Sequence, residues 1–99
     1  MARAATAADA FHAVAEPRRR QILDLLTAGE CPVNRLAERL GLTQSQVSRH
    51  LRVLRDVGLV QVSDAGRQRL YRLDPEPLKD LDDWLSRYDF TDDARTPAA

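Results

Sequence analysis

Residues 41–57 read GLTQSQVSRHLRVLRDV and contain the clearest structural signals in the sequence. It opens with a glycine-containing turn, and Thr43 followed three positions later by Gln46 matches the capping box S/T-x-x-E/Q that marks the start of a helix. The pattern predicts a helix from Gln44 to about Val57, stopped by the glycine that follows. The apolar residues recur at the spacing of a single helical face, so we expect one inward stripe, consisting of Val47, Leu51 and Leu54.

Upstream of this stretch, the sequence predicts three more helices. Residues 2–15 are rich in alanine and form the first. Pro17, a residue favoured at the first helical position, begins a second that runs to about Thr27. Cys31-Pro32 opens a third over residues 33–40, so that a helix, a short glycine turn and a helix follow one another as in a helix-turn-helix. The expected core is supplied by Ile22, Leu26, Leu36 and Leu40 together with the inward stripe.

Downstream, residues 59–63 and 69–73 each alternate apolar and polar side chains, and the glycine-containing segment 64–68 joins them. This pattern predicts a β-hairpin, the wing. A last helix is expected from Pro75 to about Phe90. The fold class is therefore mainly α with a small β-hairpin, a winged helix-turn-helix, with one domain over residues 1–90 and a disordered tail over 91–99.

Charge is unevenly distributed, although 15 basic and 15 acidic residues give a net charge of zero. Residues 1–72 carry 12 arginines against 7 acids, whereas residues 73–99 carry 3 basic residues against 8 acids. The segment from Arg39 to Arg55 contains four arginines, counting both ends, and no acid. Such asymmetry indicates a surface for an acidic partner on one side of the molecule.

The outward face of the predicted helix 44–57 combines serine, glutamine and arginine, which are residues that read base edges and meet phosphates. An ordinary solvated helix face is the competing interpretation, but an acid-free stripe beside a basic wing favours double-stranded DNA. The expected DNA-binding residues are Thr43, Gln44, Ser45, Gln46, Ser48, Arg49, His50, Arg52, Arg67 and Arg69. For His50 local packing remains an alternative, and the run Arg18–Arg20 is either a solvated face or a phosphate contact.

An apolar arc on the last helix includes large aromatic side chains, which are common anchors of interfaces. Either this arc packs on its own domain or it joins the first helix in a shared homodimer interface. The small core already has enough apolar residues without it, which favours the homodimer. The expected interface residues are Phe11, Val14, Leu81, Trp84, Leu85 and Tyr88.

Several classes of function have no support in the sequence. It contains no glycine-rich phosphate loop, no nucleophile elbow and no zinc-spaced cysteine and histidine set, which argues against an enzyme and against a cofactor. No apolar run approaches the roughly 18 residues of a membrane-spanning helix. Cys31 is the only cysteine, so nothing points to an oxidising compartment, and a cytoplasmic protein is expected.

Five segments together resemble the ArsR family of bacterial repressors: residues 16–23, 36–45, 47–55, 58–60 and 66–73. The most specific part is Ser48-x-His50-Leu51 with Leu54 and Gly58-Leu59-Val60. The resemblance covers about residues 9–90. It implies a homodimeric winged helix-turn-helix that represses transcription from a palindromic operator, with the dimer interface formed by the first and last helices.

The chain departs from the metal-sensing members of that family. Pro32 and Asn34 stand where a thiolate pair would flank the valine of the third helix, and residues 74–90 contain no histidine. The resemblance therefore implies a metal-independent member, of a kind that is often an autorepressor. Two alternatives stay open: a winged-helix module that binds protein rather than DNA, and a thiol-responsive repressor acting through Cys31.

Overall fold

The computed structural model describes residues 7–90, and within them the predicted winged helix-turn-helix is confirmed. The helices are α1 (Ala7–Ala15), α2 (Pro17–Leu26), α3 (Val33–Leu40), α4 (Gln44–Asp56) and α5 (Lys79–Leu85), and the strands are β1 (Cys31–Pro32), β2 (Val60–Ala65) and β3 (Gln68–Leu73). A short 3-10 turn, Glu76–Leu78, leads into α5. The first residues of the predicted first helix and the predicted tail 91–99 lie outside the described residues.

The start of α2 is capped by an acid and a proline. Glu16 is the N-cap, and its carboxylate accepts hydrogen bonds from the backbone N–H groups of Arg18 and Arg19 at 2.7 and 3.1 Å. Pro17 occupies the first helical turn, where its missing N–H costs nothing. A negative charge at this N-terminus also interacts favourably with the positive end of the helix dipole.

The end of α1 is capped by arginines of the next helix. The Nε of Arg19 donates to the carbonyl oxygen of Ala13 at 2.6 Å, and Nη1 of Arg20 donates to that of Val14 at 2.8 Å. The last carbonyls of a helix have no partner within it, so these guanidinium groups satisfy them. Arg19 and Arg20 therefore fasten α1 to α2.

The turn between α3 and α4 follows its sequence closely. Gly41 has φ of +67°, the left-handed conformation that ends many helices. The hydroxyl of Thr43 accepts from the N–H of Gln46 at 3.1 Å, and the Gln46 side-chain oxygen accepts from the N–H of Thr43 at 2.9 Å. The predicted capping box and the start of α4 are confirmed, and the inward stripe is fully buried: Val47, Leu51 and Leu54.

The wing is confirmed with longer strands and a tighter turn than expected. β2 pairs antiparallel with β3 from Val60↔Leu73 to Ala65↔Gln68. The predicted five-residue connection was wrong, because the ladder continues until only Gly66 and Arg67 remain between the strands. Gly66 has φ of +64°, which a two-residue hairpin turn requires at its first position.

A third strand was missed. Cys31 pairs with Tyr71 and Pro32 with Leu70, so that β1 forms one edge of a sheet ordered β1-β3-β2. Two residues are too few to show alternation, and Pro32 is tolerated because an edge strand does not need its N–H. Pro32 also serves as the N-cap of α3, so the prediction that Cys31-Pro32 opens the third helix described only half of its role.

The core gathers side chains from α1 to α4 and from the wing. Of the predicted core residues only Leu40 is merely half-buried. α1 contributes through Ala10 and Ala13, which lets it pack closely against its neighbours. The remaining buried core residues are Ile22, Leu23, Leu26, Leu36, Ala37, Val47, Leu51, Leu54, Leu59, Val60 and Tyr71.

The last helix is shorter than predicted: α5 ends at Leu85 rather than near Phe90. The hydroxyl of Ser86 donates to the carbonyl oxygen of Asp83 at 2.6 Å, and turn-type hydrogen bonds follow. Every residue from Asp82 to Phe90 is exposed in the single chain. Short helices depend on packing, and the described residues do not bury this segment, so the helix is not sustained past Leu85.

Candidate nucleic-acid interface

The outer face of α4 is polar and open to solvent. Gln44, Ser45, Ser48, Arg49 and Arg52 are all exposed. Within residues 7–90, neither Arg49 nor Arg52 forms a salt bridge with a carboxylate. Their charges are therefore available to an acidic partner.

Two other predicted DNA-binding residues, Thr43 and Gln46, are exposed but already used in the capping box. The Gln46 side-chain oxygen is engaged by the backbone of Thr43, so its amide nitrogen is the group left for a further contact. Bidentate recognition of adenine by a glutamine needs both atoms. With its cap intact, Gln46 keeps the two N–H donors of its amide for further contacts, while its oxygen is engaged by the backbone of Thr43.

On one side of α4, the wing forms a groove with the helix. The groove brings Arg69 of β3 together with Ser48, Arg52 and Arg55, and with the acid Asp56 at the end of α4. Nε of Arg69 lies 3.7 Å from a carboxylate oxygen of Asp64, but both side chains are well exposed, and such a pair holds an arginine only weakly. Arg55 was not among the predicted residues, although its position three residues after Arg52 places it on the same side of the helix.

At the start of α4 the wing tip approaches the helix. Arg67, Gln68 and Arg69 share a depression with Gln44 and with Asn34 of α3. The predicted wing residues and the predicted helix residues therefore adjoin in the fold. Asn34 was missed because its place on α3 gave no sign that the wing tip comes near.

On the opposite side of α4, His50 is half-buried and lines a depression with Arg49 and Gln46. Arg18 and Arg19 of α2 line the same depression. The run at residues 18–20 therefore does more than face solvent. Arg18 borders α4, whereas the two following arginines fasten α1.

A row of aromatic rings crosses from α1 to α5 and beyond. The ring centroids of Phe11 and Trp84 are 5.9 Å apart, and those of Trp84 and Tyr88 are 5.4 Å apart. Trp84 is 43% and Tyr88 53% exposed in the single chain. Phe90, which was not predicted, extends the row at 6.1 Å from Tyr88.

The other predicted interface residues adjoin this row. Leu85 is 37% exposed, while Val14 and Leu81 are half-buried and line one apolar depression. Five of the six predicted interface residues thus lie on the adjacent helices α1 and α5, and Tyr88 lies three residues after the end of α5. Large exposed apolar groups of this kind are typical of a surface that another protein covers.

Cys31 is half-buried on β1, and its thiol donates to the carbonyl oxygen of Pro32 at 3.6 Å. Burial raises the pKa of the Cys31 thiol, and this effect exceeds the opposing attraction of the nearby Arg35 and Arg39 charges. A protonated thiol is a poor nucleophile and a poor metal ligand.

Residues 7–90 show no sign of a metal site or of a membrane span. They contain no group of three or more histidine, cysteine and acidic side chains arranged to hold a metal ion. Among their helices, none has the length and apolar character needed to cross a bilayer.

An exposed polar helix behind a glycine turn, with a basic β-hairpin beside it, defines a winged helix-turn-helix protein. Residues 16–62 match the family model described as bacterial regulatory protein, arsR family. The chain belongs to the arsR family of bacterial regulatory proteins.

Individual relatives agree with this assignment. The HTH-type transcriptional regulator NmtR of Mycobacterium tuberculosis is 49% identical over 70 residues, which cover 71% of this chain and 58% of NmtR. The chain thus spans less than two thirds of that relative. The transcriptional repressor SdpR of Bacillus subtilis is 30% identical over 78 residues, covering 79% of this chain and 87% of SdpR.

A solved structure repeats the fold. It is the solution structure of a homodimeric winged helix-turn-helix DNA-binding domain from Mycobacterium bovis, described as a possible ArsR-family transcriptional regulator. It superimposes with a TM-score of 0.68 at 34% sequence identity, covering 80% of this chain and 73% of that one.

Proposed function

We propose that this protein is a transcriptional repressor that binds operator DNA as a homodimer, with α4 in the major groove. The observation that carries the proposal is the exposed face of α4, which contains no acid from Gln44 to Arg55, beside the arginines of the wing. Ser45, Ser48 and Arg49 are the base-reading candidates, since arginine pairs bidentately with guanine and serine is adaptable. Repression is the role given to the relative SdpR.

Phosphate contacts would position this helix on the duplex. Arg52 faces the wing and Arg67 lies in its turn, and within residues 7–90 neither forms a salt bridge, so both are suited to the sugar-phosphate backbone. His50 and Gln46 stand at the edge of the reading face. The wing tip would follow the backbone or enter the adjacent minor groove.

The aromatic row on α1 and α5 supports the homodimer. A two-fold dimer presents two copies of α4, which requires an operator with two half-sites separated by about one helical turn, roughly 10 bp. The operator is therefore a palindrome in this proposal. A protein that acts on chromosomal DNA works in the bacterial cytoplasm, which is the expected location.

The first test measures the affinity of the Arg49→Ala variant for selected DNA and for random duplex. Operator fragments are selected from genomic DNA by binding to the wild-type chain. We expect Arg49→Ala to lose about 1–3 kcal/mol on the operator and to lose discrimination at one base pair. Arg67→Ala should weaken operator and random DNA by a similar factor, because a phosphate contact carries no sequence information.

The matched control is Arg72→Ala. Arg72 is exposed on β3 and alternates with the buried Tyr71, so it faces away from the core and from α4. Its removal changes the net charge equally and should leave the operator preference intact. An equal loss on both DNAs for Arg49→Ala would remove Arg49 from the base-reading set, and no selected fragment at all would favour a winged-helix module that binds protein.

A further inference from the structure

We infer that Arg18 of α2 makes a second phosphate contact, on the backbone opposite the one that the wing meets. The inference rests on the proposed function, since it assumes that α4 lies in a major groove. The ligand is a phosphate of duplex DNA. The depression that would receive it is lined by Arg18, Arg19, Leu42, Gln46, Arg49, His50 and Val53.

Both sides of α4 present arginines, although the wing side also includes the acid Asp56 and the α2 side includes none. At about 100° per residue from Gln44, the α4 residues of the wing groove fall between about 340° and 120°: Ser48, Leu51, Arg52, Arg55 and Asp56. The α4 residues of the α2 depression (Gln46, Arg49, His50 and Val53) fall at about 140–240°. The helix is thus flanked on each side by a depression containing arginines from a neighbouring element.

A helix in the major groove meets sugar-phosphate backbone on both sides, because the groove is only about 12 Å wide. The wing supplies positive charge on one side. On the other side, the described residues that line the depression beside α4 are Arg18 and Arg19 of α2 and Leu42. Arg18 and the α2 depression supply the missing contact.

Arg18 and Arg19 have different freedom to bind a phosphate. Nε and Nη2 of Arg19 donate to the carbonyl oxygens of Ala13 and His12, at 2.6 and 3.3 Å, so its guanidinium already has partners. Arg18 is exposed, and within residues 7–90 its guanidinium donates from Nη1 to the side-chain oxygen of Gln21 at 3.1 Å. That single bond steadies the Arg18 side chain while other donors of its guanidinium remain for an anion.

Glu16, the acid closest to Arg18 in the sequence, is not among the residues that line the depression. The Glu16 carboxylate accepts hydrogen bonds from the backbone N–H groups of Arg18 and Arg19, which hold it at the N-terminus of α2. None of the residues lining the depression is acidic. A phosphate entering it would meet Arg18 and the edge of His50, beside the base-reading candidate Arg49.

The test compares the wild type with Arg18→Ala, Arg18→Lys and the control Arg72→Ala. Affinity for the operator and for random duplex is measured between about 50 and 200 mM salt. We expect Arg18→Ala to bind both DNAs about fivefold to tenfold more weakly near 0.1 M salt, and to reduce the slope of log K against log salt by about 0.9. Arg18→Lys keeps the charge and should keep the slope.

Ethylation interference locates the contact. In each half-site the wild type should be sensitive to ethylated phosphates on both backbones, and Arg18→Ala should lose the sensitivity on the side away from the wing. An Arg18→Ala variant that behaves like Arg72→Ala in affinity, slope and interference overturns the inference while the proposed function stands. A wild-type chain that binds no duplex overturns both.

Discussion

Three consecutive arginines perform different tasks, although the sequence presents them as one basic run. Arg18 is exposed and borders α4, whereas Arg19 and Arg20 donate to the carbonyl oxygens that end α1. The carbonyl end of a helix carries partial negative charge, so a guanidinium is stabilised there. Residue type alone could not separate these roles, because the separation depends on where the preceding helix ends in space.

Cys31 shows how burial limits the chemistry of a single residue. Because burial raises the pKa of its thiol, less thiolate is present near neutral pH than for an ordinary cysteine. We expect iodoacetamide to alkylate Cys31 in the folded protein more slowly than a free cysteine peptide at neutral pH. The rate should rise as the pH passes above the usual cysteine range, and mass spectrometry follows the adduct.

The same residue tests the thiol-responsive alternative. Peroxide should leave operator binding unchanged in the wild type, and the matched Cys31→Ser variant should respond identically. Alkylation faster than that of the free peptide, or a loss of DNA binding on oxidation that Cys31→Ser abolishes, would restore a thiol switch.

At the scale of elements, the capping box sets where α4 begins. Replacing Thr43 by alanine removes the acceptor for the Gln46 N–H, so Thr43→Ala should reduce the free energy of unfolding by about 1 kcal/mol. Urea denaturation at a fixed protein concentration measures the change. Thr43→Ser retains the hydroxyl and is the control, and equal stability of all three proteins would refute a stabilising cap.

Local signals predicted the helices well and the sheet only in part. The capping box and the apolar stripe of α4 depend on neighbours within one or two turns, so they can be read from the chain. β1 depends on pairing between Cys31 and Tyr71, which lie 40 positions apart, and two residues carry no periodic signal. The end of α5 was misjudged because helical spacing continues past Leu85, whereas the packing that would sustain the helix does not.

The whole molecule separates its two proposed surfaces. The exposed polar face and its arginines surround α4, while the aromatic row lies along α1 and α5. The acidic excess of residues 73–99 falls in the part of the sequence that contains α5. Repulsion between those acids and phosphate would favour the approach of DNA from the side of α4.

The dimer is tested at this scale through Trp84. Its ring contacts Phe11 and Tyr88 and is still 43% exposed, as expected of an anchor that a second copy covers. We expect Trp84→Ala to raise the dimer dissociation constant more than about tenfold, since buried aromatic anchors often contribute about 2 kcal/mol or more. Sedimentation over a range of concentrations measures this change.

Asp82→Ala provides the comparison, because Asp82 is an exposed polar residue of the same helix. It should dimerise like the wild type. If Trp84→Ala also dimerises normally while remaining folded by circular dichroism, the aromatic row is not the interface. Operator binding should weaken with the loss of the dimer, because the two half-sites would then be bound independently.

The sequence by itself determined the helix-turn-helix, the wing and the polar face of α4, because each follows from capping, turn chemistry or the period of apolar residues over a short span. Only the tertiary structure decided which side chains meet around that face. It placed Arg69 in one depression with Arg52 and Arg18 in another with Arg49. It also added the strand β1 and showed that Arg19 and Arg20 donate to the carbonyl oxygens at the end of α1. These relations connect elements distant in the chain, and packing rather than local periodicity sets them.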